Sequence, residues 1–293
     1  MYMSMALIRH SKVFTASRLS QIQLAPEFPA AMAAVAGVQP NPKPTALSGP
    51  ELLKDAAWFD ANWPFISAFL CPFAFVLPFV VCKLPGRKAI RDPYVLGWLT
   101  VAFYLCHQIE EHAYDLRGWR YAFVPDFNHG TGAWLFKECE KLGHKTCPAD
   151  PRFATYINVV TVWGGFVVAM LCAHHLGGQY AYAGFCNWGM SIVNTATGHL
   201  IPWALMGYNP GAFQSIFMFA FGMYALSRVD QFFAGICIVN GLLFHAICFG
   251  VGANLVLKAH WPLEIVAVLC FIFSTAVPLL LAKLFAPQAE KRL

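Results

Sequence analysis

Long stretches of this chain carry no charge at all. From Phe153 to Ser227 there is no Asp, Glu, Lys or Arg, and further charge-free runs cover Pro64–Cys82, Gln231–Leu257 and Ile265–Ala282. Each is long enough for a helix of about 20 residues across a hydrocarbon core of about 30 Å. The pattern predicts seven spans, at about 64–83, 93–113, 154–176, 180–205, 212–228, 232–257 and 261–284, with Lys83, Lys258 and Lys283 marking ends. The fifth is the shortest, and without it the count is six. Helices satisfy their own backbone in lipid, and the short alternating segments of a barrel are not found, so the expected fold is an all-α, polytopic transmembrane helix bundle.

Composition agrees: of 293 residues 58% are hydrophobic and 12% charged, against roughly a quarter charged in a soluble domain. An integral, multi-pass membrane protein is expected. Basic residues at Lys83, Arg87, Lys88 and Arg91, at Arg228, and at Lys283, Lys291 and Arg292 fall on one side of the seven-span arrangement, as the positive-inside rule requires. The net charge of +5 is dispersed among loops, which gives nucleic-acid binding no support.

The bundle is expected over residues 56–287, with an extramembrane loop over 114–152 and a short tail over 288–293. Residues 1–55 read as a leader: Arg9, Lys12 and Arg18 precede the first acidic residue, Glu27. That pattern suits a plastid or mitochondrial transit peptide, or a disordered segment of an endomembrane protein. Cys139 and Cys147 in the long loop are a disulfide candidate in an oxidising compartment, and free thiols or weak metal ligands in a reducing one.

The polar residues inside the spans carry the chemistry. His107, Glu110 and Glu111 end the second span, and i, i+3 and i+4 spacing puts them on one helical face. Ionisable groups at membrane depth are costly and mark functional sites. Span directions bring a polar face of Ser191, Asn194, Thr195 and His199 in the fourth span to the same level. His260 and Glu264, spaced i and i+4 at the start of the seventh, are expected there too, with His245 somewhat deeper and either a packing residue or a ligand. His174 and His175 fall at the opposite end, while His112 and Asp115 point away from the His107 face toward solvent.

HQIEE at 107–111, His199 within NTATGH and YNPG at 208–211 together resemble the HXXEE family of polytopic membrane proteins, over roughly residues 95 to 225. That family has no assigned reaction, so the resemblance implies a site and not a chemistry. His107, Glu110, Glu111, His199, Tyr208, Pro210 and Gly211 are the positions it implies. Independently, Pro210 and Gly211 suit a tight turn between the fourth and fifth spans, Pro fixing φ and Gly tolerating positive φ. Tyr208 is either an interfacial aromatic or a proton donor to the pocket.

Several chemistries remain open. A divalent metal, iron or zinc, held by His107, Glu110, Glu111, His199, His260 and Glu264 or a subset would suit an oxidoreductase or hydrolase acting on a lipid or isoprenoid-like apolar substrate, with Glu110, Glu111 and Tyr208 as catalytic groups. A metal-free isomerase or cyclase could instead use a carboxylate pair sharing one proton. A proton- or ion-coupled transporter, or a structural cluster paired to Arg117 or Arg120, completes the set.

Overall fold

A computed structural model describes residues 52–82, 86–129, 149–257 and 259–287. Residues 1–51 of the leader, the Cys139–Cys147 pair, Lys83, Lys258 and the C-terminal tail lie outside them. The described residues contain helices and no strand. We number the helices α1 (Trp58–Cys82), α2 (Pro93–Gln108, continued by a π-helical turn at Ile109–Ala113), α3 (Phe123–His129), α4 (Pro151–Leu176), α5 (Ala183–Met206), α6 (Ala212–Leu226), α7 (Gln231–Leu257) and α8 (Leu263–Phe285). A transmembrane, all-α bundle is therefore the fold.

Among the described residues four helices, α1, α4, α7 and α8, are long and apolar enough to cross a membrane. α2 with its π turn and α5 are comparably long but more polar, and α6 is shorter. Acidic residues set several starts. Asp92 accepts from the Tyr94 and Val95 N–H groups, Asp150 from that of Phe153, and Asp230 from that of Phe233. Pro93 and Pro151 stand at the first helical position, where the missing N–H removes no helical bond.

The most polar helices are the innermost. Every residue from Ala183 to Val193 of α5 is buried, and α5 packs against α2, α6, α7 and α8. Such depth needs close backbone approach, which glycine supplies. A Cβ on Gly184 would strike the Gly97 backbone of α2, and one on Gly189 would strike the Cys237 carbonyl of α7. Small residues at helix crossings serve this purpose in membranes, where dispersion contacts replace the hydrophobic drive. α4 meets α8 in the same way at Gly165 and Ser274, whose hydroxyl donates to the Thr161 carbonyl across the crossing at 2.6 Å.

Part of the expected extramembrane loop is folded into the bundle. Tyr121, Val124 and Phe127 are buried, and the Trp63 indole of α1 donates to the Tyr121 hydroxyl at 2.7 Å. α3 is thus fixed against the end of the bundle where α2 terminates.

Filling the central crossing should be costly. Gly184→Leu is expected to lower stability by about 1–3 kcal/mol or more, read as an earlier thermal transition in detergent. Gly235→Leu is the control, because a Cβ there meets nothing within 4 Å and should leave the transition unchanged.

Candidate functional site

Four helices change their hydrogen-bond ladder at one level of the bundle. α2 is π-helical over Ile109–Ala113, α4 over Tyr156–Gly164, α5 over Asn194–Leu200 and α7 over His245–Gly252. All four π segments line a single cavity of about 280 Å³, through Glu111, Asn158, His199 and His245 among others. Widened turns of this kind leave the ordinary helical register and are frequent at functional sites.

At the polar end of the cavity Glu111 lies between two imidazoles. Its Oε1 stands 3.5 Å from His107 Nε2 and 3.4 Å from His199 Nε2. The three side chains are buried, and one donor atom from each lies within 4.8 Å of the others. The two rings meet edge to face with centroids 4.6 Å apart. Glu111 and His199 are oriented from behind, whereas the buried Nδ1 of His107 has no hydrogen-bond partner among the described residues. Gln108 Nε2 donates to Glu111 Oε2 at 2.7 Å, and Asn209 Oδ1 lies 2.9 Å from His199 Nδ1 while the same amide donates to the His199 carbonyl. If Nδ1 carries the proton donated to Asn209, the lone pair of His199 sits on Nε2, facing Glu111.

Helical spacing alone placed Glu110 with these groups, and the structure corrects that expectation. The Glu110 carboxylate turns to the start of α6, accepting from the Tyr208 hydroxyl at 2.8 Å and from the Phe213 and Gln214 N–H groups at 3.2 and 2.7 Å. A helix N-terminus presents unsatisfied donors and a partial positive charge, so the Glu110 carboxylate finds its hydrogen-bond partners there. Tyr208 also accepts from the Leu116 N–H at 3.1 Å. In the connection outside the helices, burial first and the Glu110 charge second hold its phenol well above the ordinary tyrosine range, which keeps it a donor.

YNPG forms the expected turn. The Ala212 N–H donates to the Asn209 carbonyl at 3.2 Å, and Gly211 has φ +88°. Its backbone passes directly under the cluster: a Cβ there would come within 2.7 Å of His107, 2.8 Å of Glu111 and 2.9 Å of His199. Glycine is thus needed twice, for the positive φ and for the space.

His260 and Glu264 do not reach the cluster. His260 is exposed with φ +55°, and Glu264 is half exposed and ion-paired with Arg152. The i, i+4 argument fails because α8 starts only at Leu263: Pro262 disfavours helical geometry at Trp261, so His260 and Glu264 share no helix. His245 lines the cavity, with Nδ1 2.7 Å from the Gly241 carbonyl of its own helix and its ring stacked on Phe249. His174 is at the far end of the bundle, its ring against Tyr94 at the start of α2.

His112 and Asp115, expected at a solvated helix end, are buried. The π turn rotates His112 inward, to 3.6 Å from Glu111 Oε2, among Trp63, Tyr121 and Phe123. Asn158 Nδ2 faces its Nε2 at 3.1 Å, and Asn158 Oδ1 accepts from the Tyr104 hydroxyl at 2.7 Å. Asp115 pairs with Arg117 at 2.7 Å. Its burial pushes the carboxyl pKa up, against the pull of that guanidinium. Arg120 reaches back to the Ala61 carbonyl of α1. Asn209 and Asn158 were not singled out by sequence reasoning; Asn209 sits in the variable position of YNPG, which was the one available signal.

Neither the curated proteins nor the solved structures yielded a match. A family model does match, over residues 98–226, which takes in HQIEE, His199 and YNPG; its description is a protein of unknown function with an HXXEE motif. The matched segment is similar to that family over less than half of the chain, and it carries both histidines of the cluster, the glutamates and the turn beneath them.

Proposed function

We propose that the chain is a membrane-embedded, metal-dependent enzyme, with His107, Glu111 and His199 as ligands and a lipid or isoprenoid-like molecule as substrate. The carrying observation is the pair of Nε2–Oε1 separations, 3.5 and 3.4 Å. They exceed the usual 2.7–3.2 Å of an N–H···O bond. They match the edge of a tetrahedron, because ligands bonded at about 2.0–2.1 Å stand roughly 3.3–3.4 Å apart. A carboxylate held at that spacing between two imidazoles, in a buried site, is a donor set with room for a cation.

Two His and one carboxylate are shared by catalytic zinc sites with an open fourth position and by non-haem Fe(II) oxygenase sites. Either ion would act as a Lewis acid toward a substrate oxygen, and iron would add redox chemistry. The protein groups have separable tasks. Asn209 and Gln108 aim the ligands, while Gly211 allows the YNPG backbone to close beneath them. His112 is the titratable group nearest the ligand set, backed by Asn158 and Tyr104, and is the candidate proton carrier. Glu110, saturated by three donors, ties the cluster to the start of α6.

Metal analysis of the purified protein tests this directly. Near-stoichiometric iron or zinc is expected in the wild type and is lost in Glu111→Gln and His199→Ala. Protein that takes up neither ion, even when supplied, removes the metal from the proposal and favours proton chemistry at Glu111. Glu110→Gln should separate the two carboxylates: metal is retained, while the thermal transition falls by an amount corresponding to about 1–3 kcal/mol for a weakened buried network.

Asn209→Ala probes the outer shell. Loss of the His199 partner is expected to weaken metal affinity about 10- to 100-fold, measured by competition with a chelator, with the helical signal unchanged. Unchanged affinity would mean that Asn209 serves only the turn.

A further inference from the structure

The cavity reaches residues that are exposed on α5 and α7. Thr197 and Gly198 of α5 and Ala246 of α7 line it and are also exposed. They lie in the two π segments, Asn194–Leu200 and His245–Gly252. Within about a turn of them along the same helices, Ile201 of α5 and Leu243, Ile247 and Val251 of α7 are also exposed. An apolar surface on a transmembrane bundle faces hydrocarbon, so an opening among these residues communicates with lipid and not with water. Small side chains at the rim leave the gap between the helices unfilled.

Behind the rim the walls are aromatic and apolar, with Phe127, Phe166, Met190, Phe244 and Phe249, while Glu111, His199 and Asn209 gather at the cluster. Asp126 of α3 lines the cavity as well. At about 280 Å³ the space lies just under the roughly 300–1,000 Å³ of sites for drug-sized ligands. A space of that size favours a ligand with one chain over one with two.

We propose that the gap between Thr197–Gly198 of α5 and Ala246 of α7 is a lateral portal, through which a single-chain amphiphile enters from the bilayer and brings an oxygen-bearing head group to the His107–Glu111–His199 cluster. The proposal rests on the cluster being the reactive end, as argued above, but the route and chain number are separate claims. Ala246 and Thr197 then determine specificity by size: larger side chains close the rim without touching the cluster.

The test uses the full-length protein in phosphatidylcholine nanodiscs and a long-chain fatty acid carrying a photoreactive diazirine. Labelling is expected on peptides containing residues 194–199 and 244–250, to be competed by an unlabelled long-chain fatty acid, and not by added diacyl lipid. Ala246→Trp, and independently Thr197→Phe in case the first variant folds poorly, should abolish that labelling while metal content and thermal transition stay at wild-type values. Leu243→Trp, on the outer surface beside the rim, should label normally. Labelling that persists in both rim variants, that falls only on outer faces such as α1, or that diacyl lipid competes away overturns the portal. Metal-free protein that labels through the portal would overturn the metal assignment alone, whereas metal-loaded protein that does not label would overturn the portal alone.

Discussion

One buried carboxylate sets the terms for the rest of this bundle. Glu111 is buried in an apolar structure, and an isolated charge there would be prohibitively unfavourable unless paired or metal-bound. Everything around it supplies compensation: imidazoles from α2 and α5, the Gln108 amide, and His112 on the other oxygen. These groups come from different helices, so the compensation also fixes how those helices meet. α5 must be central, and the α5–α6 turn must pass close enough that only glycine fits at 211.

Adjacent carboxylates normally raise each other's energy, and here they are separated by sending them to different partners. Glu110 takes the α6 N-terminus and Glu111 takes the histidines. An α-helix would place the two only about 100° apart around its axis. The wider π turn at Ile109–Ala113 winds less per residue, which brings His112 back toward the His107 face, while the Glu110 side chain is drawn away by its donors at the start of α6. Departures from α geometry at the same level in α4, α5 and α7 open the space in front of Glu111. The irregular backbone lines a cavity, which is where a membrane protein tolerates it.

What could be read from the sequence divides along that line. The long apolar helices were legible, because charge-free runs of about 20 residues have few alternatives; α4, α7 and α8 each start and end within about three residues of the expected bounds. His107, Glu111 and His199 were legible because ionisable groups in such runs are conspicuous. The facing of Glu110 and His112 was not, since it depends on a π turn that a fixed helical period misassigns. His260 with Glu264 failed for a local reason, the helix break at Pro262. Asn158 and Asn209 escaped notice because an amide in a span resembles a packing residue until its partners are seen.

The same constraint explains why hydropathy underrates the two central helices. α2 and α5 are the least apolar of the long helices and the most enclosed, and neither is among the four that apolarity and length alone mark as spans. Lipid contact demands apolar side chains, but a helix surrounded by other helices is free of that demand and can carry His, Glu, Asn and Thr. The outer helices, α1 and α8, show the converse, with rows of exposed Phe, Val and Leu. Low hydropathy in a helix ringed by apolar ones is thus a marker of where the chemistry sits. In this bundle it points to the level at which α2 and α5 bring Glu111 and His199 together.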